Sequence, residues 1–110
     1  MKKIHVQENA HYKILENRDD YCRDVLSHQM SAIRFDIVQE KDNDELVQRW
    51  RAKITLDDED SLNVEMKDYY SNERRNYSLD DDVRFSDATL KILGIAWSLL
   101  EEEQFGKLVK

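Results

Sequence analysis

Apolar and polar residues alternate one by one in three stretches in the middle of the chain. These stretches are residues 33–38, 49–56 and 62–67. A period of two is typical of a strand with one buried face. The polar segments 40–45 and 57–60 separate the stretches, so the pattern predicts three antiparallel strands joined by turns.

The middle stretch also admits a helix, because Leu46, Trp50 and Ile54 are four residues apart. We favour the strand, since the alternation is unbroken over residues 49–56 and includes β-branched side chains. A helix that begins at Asp44 is the competing interpretation.

A helical segment precedes the strands. Apolar side chains recur near a spacing of 3.6 within residues 9–29, a stretch without glycine. A start at Asn9 and a start at Asn17 are equally compatible with this pattern.

A second helix follows the strands and is the best defined element of the pattern. Ser86 suits the N-cap, Asp87 suits the first turn, and Phe85 and Leu90 have the spacing of a hydrophobic staple. Its main apolar stripe consists of Leu90, Leu93, Trp97 and Leu100. Further apolar residues surround that stripe, so we expect this helix to be buried on more than one side.

These elements predict one α+β domain over residues 1–110, with a three-stranded antiparallel meander packed against two helices in the order αβββα. Residues 2–6 also alternate, which indicates either a short extra N-terminal strand or a frayed terminus. We expect both helices to cover one face of the sheet and water to cover the other. Residues 68–84 are polar and predict a long loop, a kind of segment that is often functional.

Composition limits the kinds of partner. The chain has 24 Asp and Glu against 17 Lys and Arg, a formal net charge of −7. This charge disfavours direct binding to nucleic acid or to anionic membranes and favours a protein with a basic surface. A single cysteine and the lack of a secretory or membrane-spanning apolar run predict a reducing, cytoplasmic setting and no membrane.

The sequence assembles no catalytic or metal-binding pattern. His5 and His11 are six residues apart, and so are Cys22 and His28, which fits neither a helical pair nor a zinc-finger ligand set. Cys22 lies on the apolar stripe of the first helix and predicts a buried, inert thiol. The acidic segment that begins at Asp42 lacks the ligand and the glycine of a calcium loop. We therefore predict no enzyme activity, no cofactor and no bound metal.

Two features indicate a partner-binding surface. Acidic residues cluster in the predicted turns, where carboxylates that share a face resemble a row of phosphates. Tyrosine and arginine in the predicted loop are residue types that often dominate interfaces. The predicted partner-binding residues are Asp57, Asp58, Glu59, Asp60, Tyr69, Tyr70, Arg74, Tyr77, Asp80, Asp81 and Asp82.

A basic stripe lies on the middle predicted strand. Arg49, Arg51 and Lys53 share one face of that strand, which we expect to be the solvated face. They can bind an anionic partner, but pairing with Asp36 and Glu65 across the sheet is the favoured interpretation.

These features predict a non-enzymatic acidic interaction domain that inhibits a nucleic-acid-handling protein by blocking its basic surface. In size, charge and αβββα order the chain is similar to some phage anti-CRISPR proteins, a likeness that no motif carries. The alternative is an immunity protein or chaperone-like partner that neutralises a bacterial toxin or effector. The order is also similar to the double-stranded-RNA-binding domain, but that family has lysines where residues 80–87 are acidic.

Overall fold

Every strand of the sheet pairs with the strand next to it in the chain, and two helices accompany the sheet. The computed structural model describes residues 4–7, 20–28, 30–41 and 43–109, and over 104–109 it describes the helical backbone alone. The strands are β1 (Ile4–Gln7), β2 (Ile33–Glu40), β3 (Leu46–Leu56), β4 (Leu62–Asp68) and β5 (Arg74–Ser78), and the helices are α1 (Cys22–His28) and α2 (Phe85–Val109).

The prediction of a three-stranded meander is wrong, because the sheet has five antiparallel strands in the order β1-β2-β3-β4-β5. The α+β class holds. The additional strands are β1, which the N-terminal alternation had indicated, and β5, which lies inside the predicted loop 68–84. The side chains of β5 are exposed except for Tyr77, so this edge strand has no apolar period to reveal it.

The two ambiguous segments have different outcomes. Residues 46–56 form strand β3, so the strand interpretation is confirmed and a helix from Asp44 is wrong. The first predicted helix is shorter than expected, because α1 begins at Cys22 and Tyr21 before it forms a β-bridge with Arg84. One continuous helix from Asn9 or from Asn17 is therefore wrong, and residues 8–19 lie outside the described residues.

The core lies between one face of the sheet and the two helices. Phe35 of β2 meets Phe85 of α2 edge to face, with ring centroids 6.3 Å apart. The buried apolar side chains of the strands are Ile33, Phe35, Ile37, Val38, Trp50, Ala52, Ile54, Leu62, Val64 and Met66. The residues between them in β2–β4 are mostly polar and more exposed, so one face of the sheet is dry and the other is wet.

Helix α2 turns a different stripe toward the core from the one predicted. It begins at Phe85, and Ala88 N donates to Arg84 O at 2.9 Å, which places Arg84 rather than Ser86 at the N-cap. Leu90 is 68% exposed, so the stripe and the staple predicted through it are wrong. The buried stripe is Phe85, Ala88, Ile92, Ala96 and Leu100.

A β-bulge changes the direction of one basic side chain in β3. The register with β2 shifts between Ile37 and Val38, which leaves Arg49 without a residue opposite. Arg49 and Trp50 are consequently both buried, whereas Arg51 is exposed. The prediction that Arg49 shares the solvated face with the rest of the basic stripe is wrong, because the extra residue breaks the alternation.

The predicted pairing of the stripe holds in part. Arg51 forms an ion pair with Asp36 at 3.2 Å, as predicted. Glu65 pairs instead with Arg74, at 3.8 Å, although Lys53 lies directly opposite it in the sheet.

One buried polar side chain of β2 offers a test of the packing. Gln39 is 1% exposed, and its Oε1 accepts no hydrogen bond from a described residue. Because a buried acceptor without a donor is costly, we expect Gln39→Met to raise the free energy of unfolding by about 1 kcal/mol. Urea denaturation measures it. The matched control is Gln48→Met, because the Gln48 amide is exposed and donates to Gln7 and Asp36. If Q39M is instead less stable than the wild type, the side-chain amide of Gln39 is hydrogen-bonded in the folded protein.

Candidate functional site

Two of the predicted acidic segments meet at one end of the sheet. Turn 57–60 joins β3 to β4, and loop 80–82 follows β5. The end of β5 pairs with the start of β4, and Leu79 N donates to Leu62 O at 3.1 Å. The two acidic segments therefore extend from neighbouring strands.

Arg23 of α1 joins these segments. Its Nη2 donates to the backbone oxygen of Asp60 at 2.6 Å and forms an ion pair with Asp81 Oδ1 at 3.0 Å. Its Nε donates to the backbone oxygen of Asp81 at 3.4 Å. One cation thus holds two stretches of chain that repel each other. We call the resulting surface the acidic end, which comprises Asp57, Asp58, Glu59, Asp60, Asp80, Asp81 and Asp82, all exposed.

The acidic side chains differ in their roles. Asp57 Oδ1 accepts from the backbone N–H groups of Glu59 and Ser61, at 2.9 and 3.0 Å, so Asp57 shapes the turn. Asp60 has φ 60°, a left-handed conformation that aspartate tolerates better than most residues. Asp81 is paired with Arg23. The carboxylates that bond no described residue are those of Asp58, Glu59, Asp60, Asp80 and Asp82.

The other predicted binding residues lie away from the acidic end. Tyr69 and Tyr70 lie in the turn from β4 to β5, at the opposite end of β4. Arg74 projects from the wet face of β5, where it pairs with Glu65. Tyr77 is half-buried against the core. The structure thus brings the acidic residues together and leaves the tyrosines and Arg74 apart from them.

A buried cation, which sequence reasoning missed, organises that opposite end. Arg49 is 6% exposed. It donates Nε and Nη2 to the two carboxylate oxygens of Asp68 at 3.3 and 3.2 Å, and Nη2 to Glu103 Oε2 at 2.8 Å. Its guanidinium lies 4.9 Å from the Trp50 ring centroid and 4.4 Å from that of Tyr70. A planar guanidinium can bond carboxylates at its edge and stack on rings with its faces. We call these five residues the Arg49 cluster.

The cluster keeps its members charged. Burial alone lowers the pKa of Arg49, but the bonds to Asp68 and Glu103 hold that pKa above its ordinary value. Burial raises the pKa of Asp68, but bonds from Arg49 and from the backbone N–H groups of Tyr70 and Ser71 hold it below its ordinary value. General acid–base catalysis needs a group that titrates near neutral pH, and neither shift produces one.

An open cleft of about 490 Å³ borders the Arg49 cluster. This volume falls within the range of small-molecule sites. Its remaining charged groups are also paired, since Arg75 lies 3.5 Å from Glu102 and 3.8 Å from Glu73. The charges that line the cleft thus satisfy one another, and the cluster is best understood as a structural support.

The described residues contain no group of three His, Cys, Asp or Glu side chains placed to hold a metal ion. Of the histidines, His5 and His28 are exposed, and His11 lies outside the described residues, as does Asp42. Cys22 is confirmed to be buried. Within the described part of the chain, every helix is either too short or too polar to cross a membrane.

Comparisons with known proteins provide no relative for this chain. No family model matches the sequence. Searches of the curated proteins and of the solved structures also found no match. Function is therefore inferred from the charges and contacts described above.

Proposed function

We propose that the protein is a non-enzymatic interaction domain whose acidic end binds and blocks the basic surface of a nucleic-acid-handling protein. One observation carries this proposal. Arg23 holds turn 57–60 and loop 80–82 together, so that two acidic segments distant in the sequence form one surface.

The acidic end has properties that suit electrostatic docking. Its carboxylates are exposed on backbone that is already ordered by the Asp57 turn and by the Arg23 link, so binding orders little additional chain. Concentrated negative charge accelerates encounter with a basic surface and loses its effect as salt increases. A basic groove that normally holds phosphates is the kind of surface that such a cluster complements.

The likeness to phage anti-CRISPR proteins does not add support. It depended in part on the order αβββα, whereas the described chain contains five strands. The inhibitor proposal therefore depends on the acidic end alone.

A second candidate function is an immunity protein or chaperone-like partner that neutralises a bacterial toxin or effector. It would use the opposite end of the sheet, where Tyr70 is 53% exposed and lies against Arg49. A large aromatic side chain held in place by a cation is a typical anchor of an interface. Binding there would depend little on salt.

The first experiment is to capture partners on the immobilised protein and to measure association kinetics with any partner obtained. We expect Asp58→Asn, Glu59→Gln and Asp82→Asn together to lower the association rate constant by up to about tenfold at low salt and to flatten its salt dependence. The three substitutions do not change Asp57 and Asp60, the residues that shape the turn.

The matched control removes equal charge elsewhere, by Glu40→Gln, Glu45→Gln and Glu101→Gln. We expect it to have a much smaller effect on the association rate, because these residues lie outside the acidic end. Equal losses in both variants would show that net charge alone matters and would refute the acidic end as the binding surface. A partner that survives high salt and is indifferent to both variants would favour the immunity or chaperone-like role.

A further inference from the structure

The wet face of the sheet has a charge opposite to that of the whole chain. It carries five cationic side chains against three carboxylates, a formal surplus of two positive charges in a chain of net charge −7. We call it the basic face. Its cationic residues are Arg34, Arg51, Lys53, Lys67 and Arg74, and its carboxylates are Asp36, Glu65 and, at the end of β2, Glu40.

The register places like charges directly opposite one another on this face. Arg34 lies opposite Lys53 on the neighbouring strand. Lys67 lies between two arginines, Arg51 on β3 and Arg74 on β5. Like charges in such cross-strand positions destabilise a sheet. The arrangement therefore has a cost that an anionic partner would relieve.

The carboxylates of the basic face offset only part of this cost. Asp36 is engaged by Arg51 at 3.2 Å and by the Tyr69 hydroxyl at 3.0 Å. Glu65 pairs with Arg74 at 3.8 Å. The other three cations of the face form no ion pair with any described residue.

The shape of the charge pattern favours a compact anionic partner over a long one. A nucleic acid would extend beyond the basic face onto a surface that is otherwise acidic. Single-stranded nucleic acid also needs exposed rings to stack on. Tyr69, the aromatic residue described on this face, has its hydroxyl bonded to Asp36 and its ring near Arg51 and Lys67.

The structure itself contains a compact anionic surface that meets these requirements, and it is the acidic end. We propose that the basic face binds the acidic end of a second copy of this chain. The two surfaces differ, so the contact is heterologous and can add further copies. Because it occupies the acidic end, self-association would compete with the binding of a basic partner. It involves no other protein and stands independently of the proposed function.

The test is sedimentation velocity on the purified protein alone, from micromolar to millimolar concentration. We expect the average mass to rise above the 13.2 kDa of one chain at about 20 mM salt and to return to it at about 500 mM. A wild-type protein that stays monomeric throughout this range would overturn the proposal.

Two neutralising variants identify the surfaces. Lys53→Gln with Lys67→Gln changes the basic face, and Asp58→Asn with Asp82→Asn changes the acidic end. We expect each variant alone to associate about tenfold more weakly than the wild type. Mixed together, they retain one intact surface each and should form a one-to-one complex, with twice the mass of one chain, that does not grow further.

Lys41→Gln with Lys91→Gln is the control, because it removes the same charge outside the basic face. Association that resists salt, or that K53Q/K67Q leaves unchanged, would refute the contact. A second experiment tests whether nucleic acid binds the basic face instead. A short poly-dT oligonucleotide is added to the protein, and the amide chemical shifts of the basic face are recorded. If the oligonucleotide binds there and K53Q/K67Q self-associates like the wild type, the face serves nucleic acid and the proposal is wrong.

Discussion

Replacing Arg49 with methionine is expected to lower the free energy of unfolding by about 2–3 kcal/mol. The change leaves the carboxylates of Asp68 and Glu103 without their shared cation. Breaking a fully buried pair costs about 3–5 kcal/mol, and the cost is smaller here because both carboxylates retain access to water. Methionine keeps an apolar stem against Trp50, so the decrease in stability arises mainly from removal of the guanidinium charge. Urea denaturation at neutral pH measures it.

Arg51→Met is the matched control, because it makes the same substitution at an arginine two residues further along the same strand. The Arg51 side chain is 50% exposed, so we expect its loss to cost less than about 1 kcal/mol. Equal losses in R49M and R51M would contradict the burial of Arg49 by the bulge.

The Arg49 pair also predicts a pH dependence. The folded pKa of Asp68 lies below its ordinary value of 3.8, so its ion pair stabilises the fold above that pH. The contribution is lost as the pH falls through the lower, folded pKa. We therefore expect the difference in stability between wild type and R49M to shrink in acid, as measured by urea denaturation over a pH series. A difference that grows in acid would contradict this assignment.

The thiol of Cys22 is expected to react at least about 100-fold more slowly in the native protein than in the unfolded chain. Cys22 is fully buried, and burial raises its pKa from 9.0 to about 11 against a smaller opposing effect of a backbone hydrogen bond. The higher pKa alone lowers the thiolate fraction about a hundredfold, and exclusion of the reagent slows the reaction further. The measurement is the rate of reaction with an aromatic disulfide reagent near pH 8, with and without urea.

Ser98→Cys in a Cys22→Ala background provides the exposed control thiol, since Ser98 lies on the outer surface of α2. The control should react at nearly the same rate in both states. Because the folded pKa of Cys22 is raised, its contribution to stability is present below pH 9.0 and lost as the pH rises toward about 11. The Cys22→Ala variant should lack that loss. Rapid labelling of native Cys22 would show that the thiol is accessible.

The alternation of apolar and polar residues was sufficient to predict the strands that have one buried face. In β3, alternation from Arg51 onward matched the structure and distinguished strand from helix. The pattern failed for β5, an edge strand on which Tyr77 alone is half-buried. Edge strands need little apolar surface, because a neighbouring strand supplies their hydrogen bonds and few side chains face the core.

The bulge at Arg49 was not predictable from the sequence. Arg49 follows Gln48 with no glycine or proline to mark an irregularity. Its position depends on Asp68 in the next strand and on Glu103 in the last helix. Alternation along one strand contains no information about partners so far away in the chain.

The amino-acid sequence by itself determined the negative charge, the three central strands, the buried cysteine and the acidic turns. These properties follow from composition and from the two-residue period of a strand, which are local. The tertiary structure alone decided which charges lie together. It joined the two acidic segments through Arg23, buried Arg49 at the bulge, and set the cations of the basic face opposite one another. Those outcomes depend on register and packing between distant segments, which the pattern within each segment does not specify.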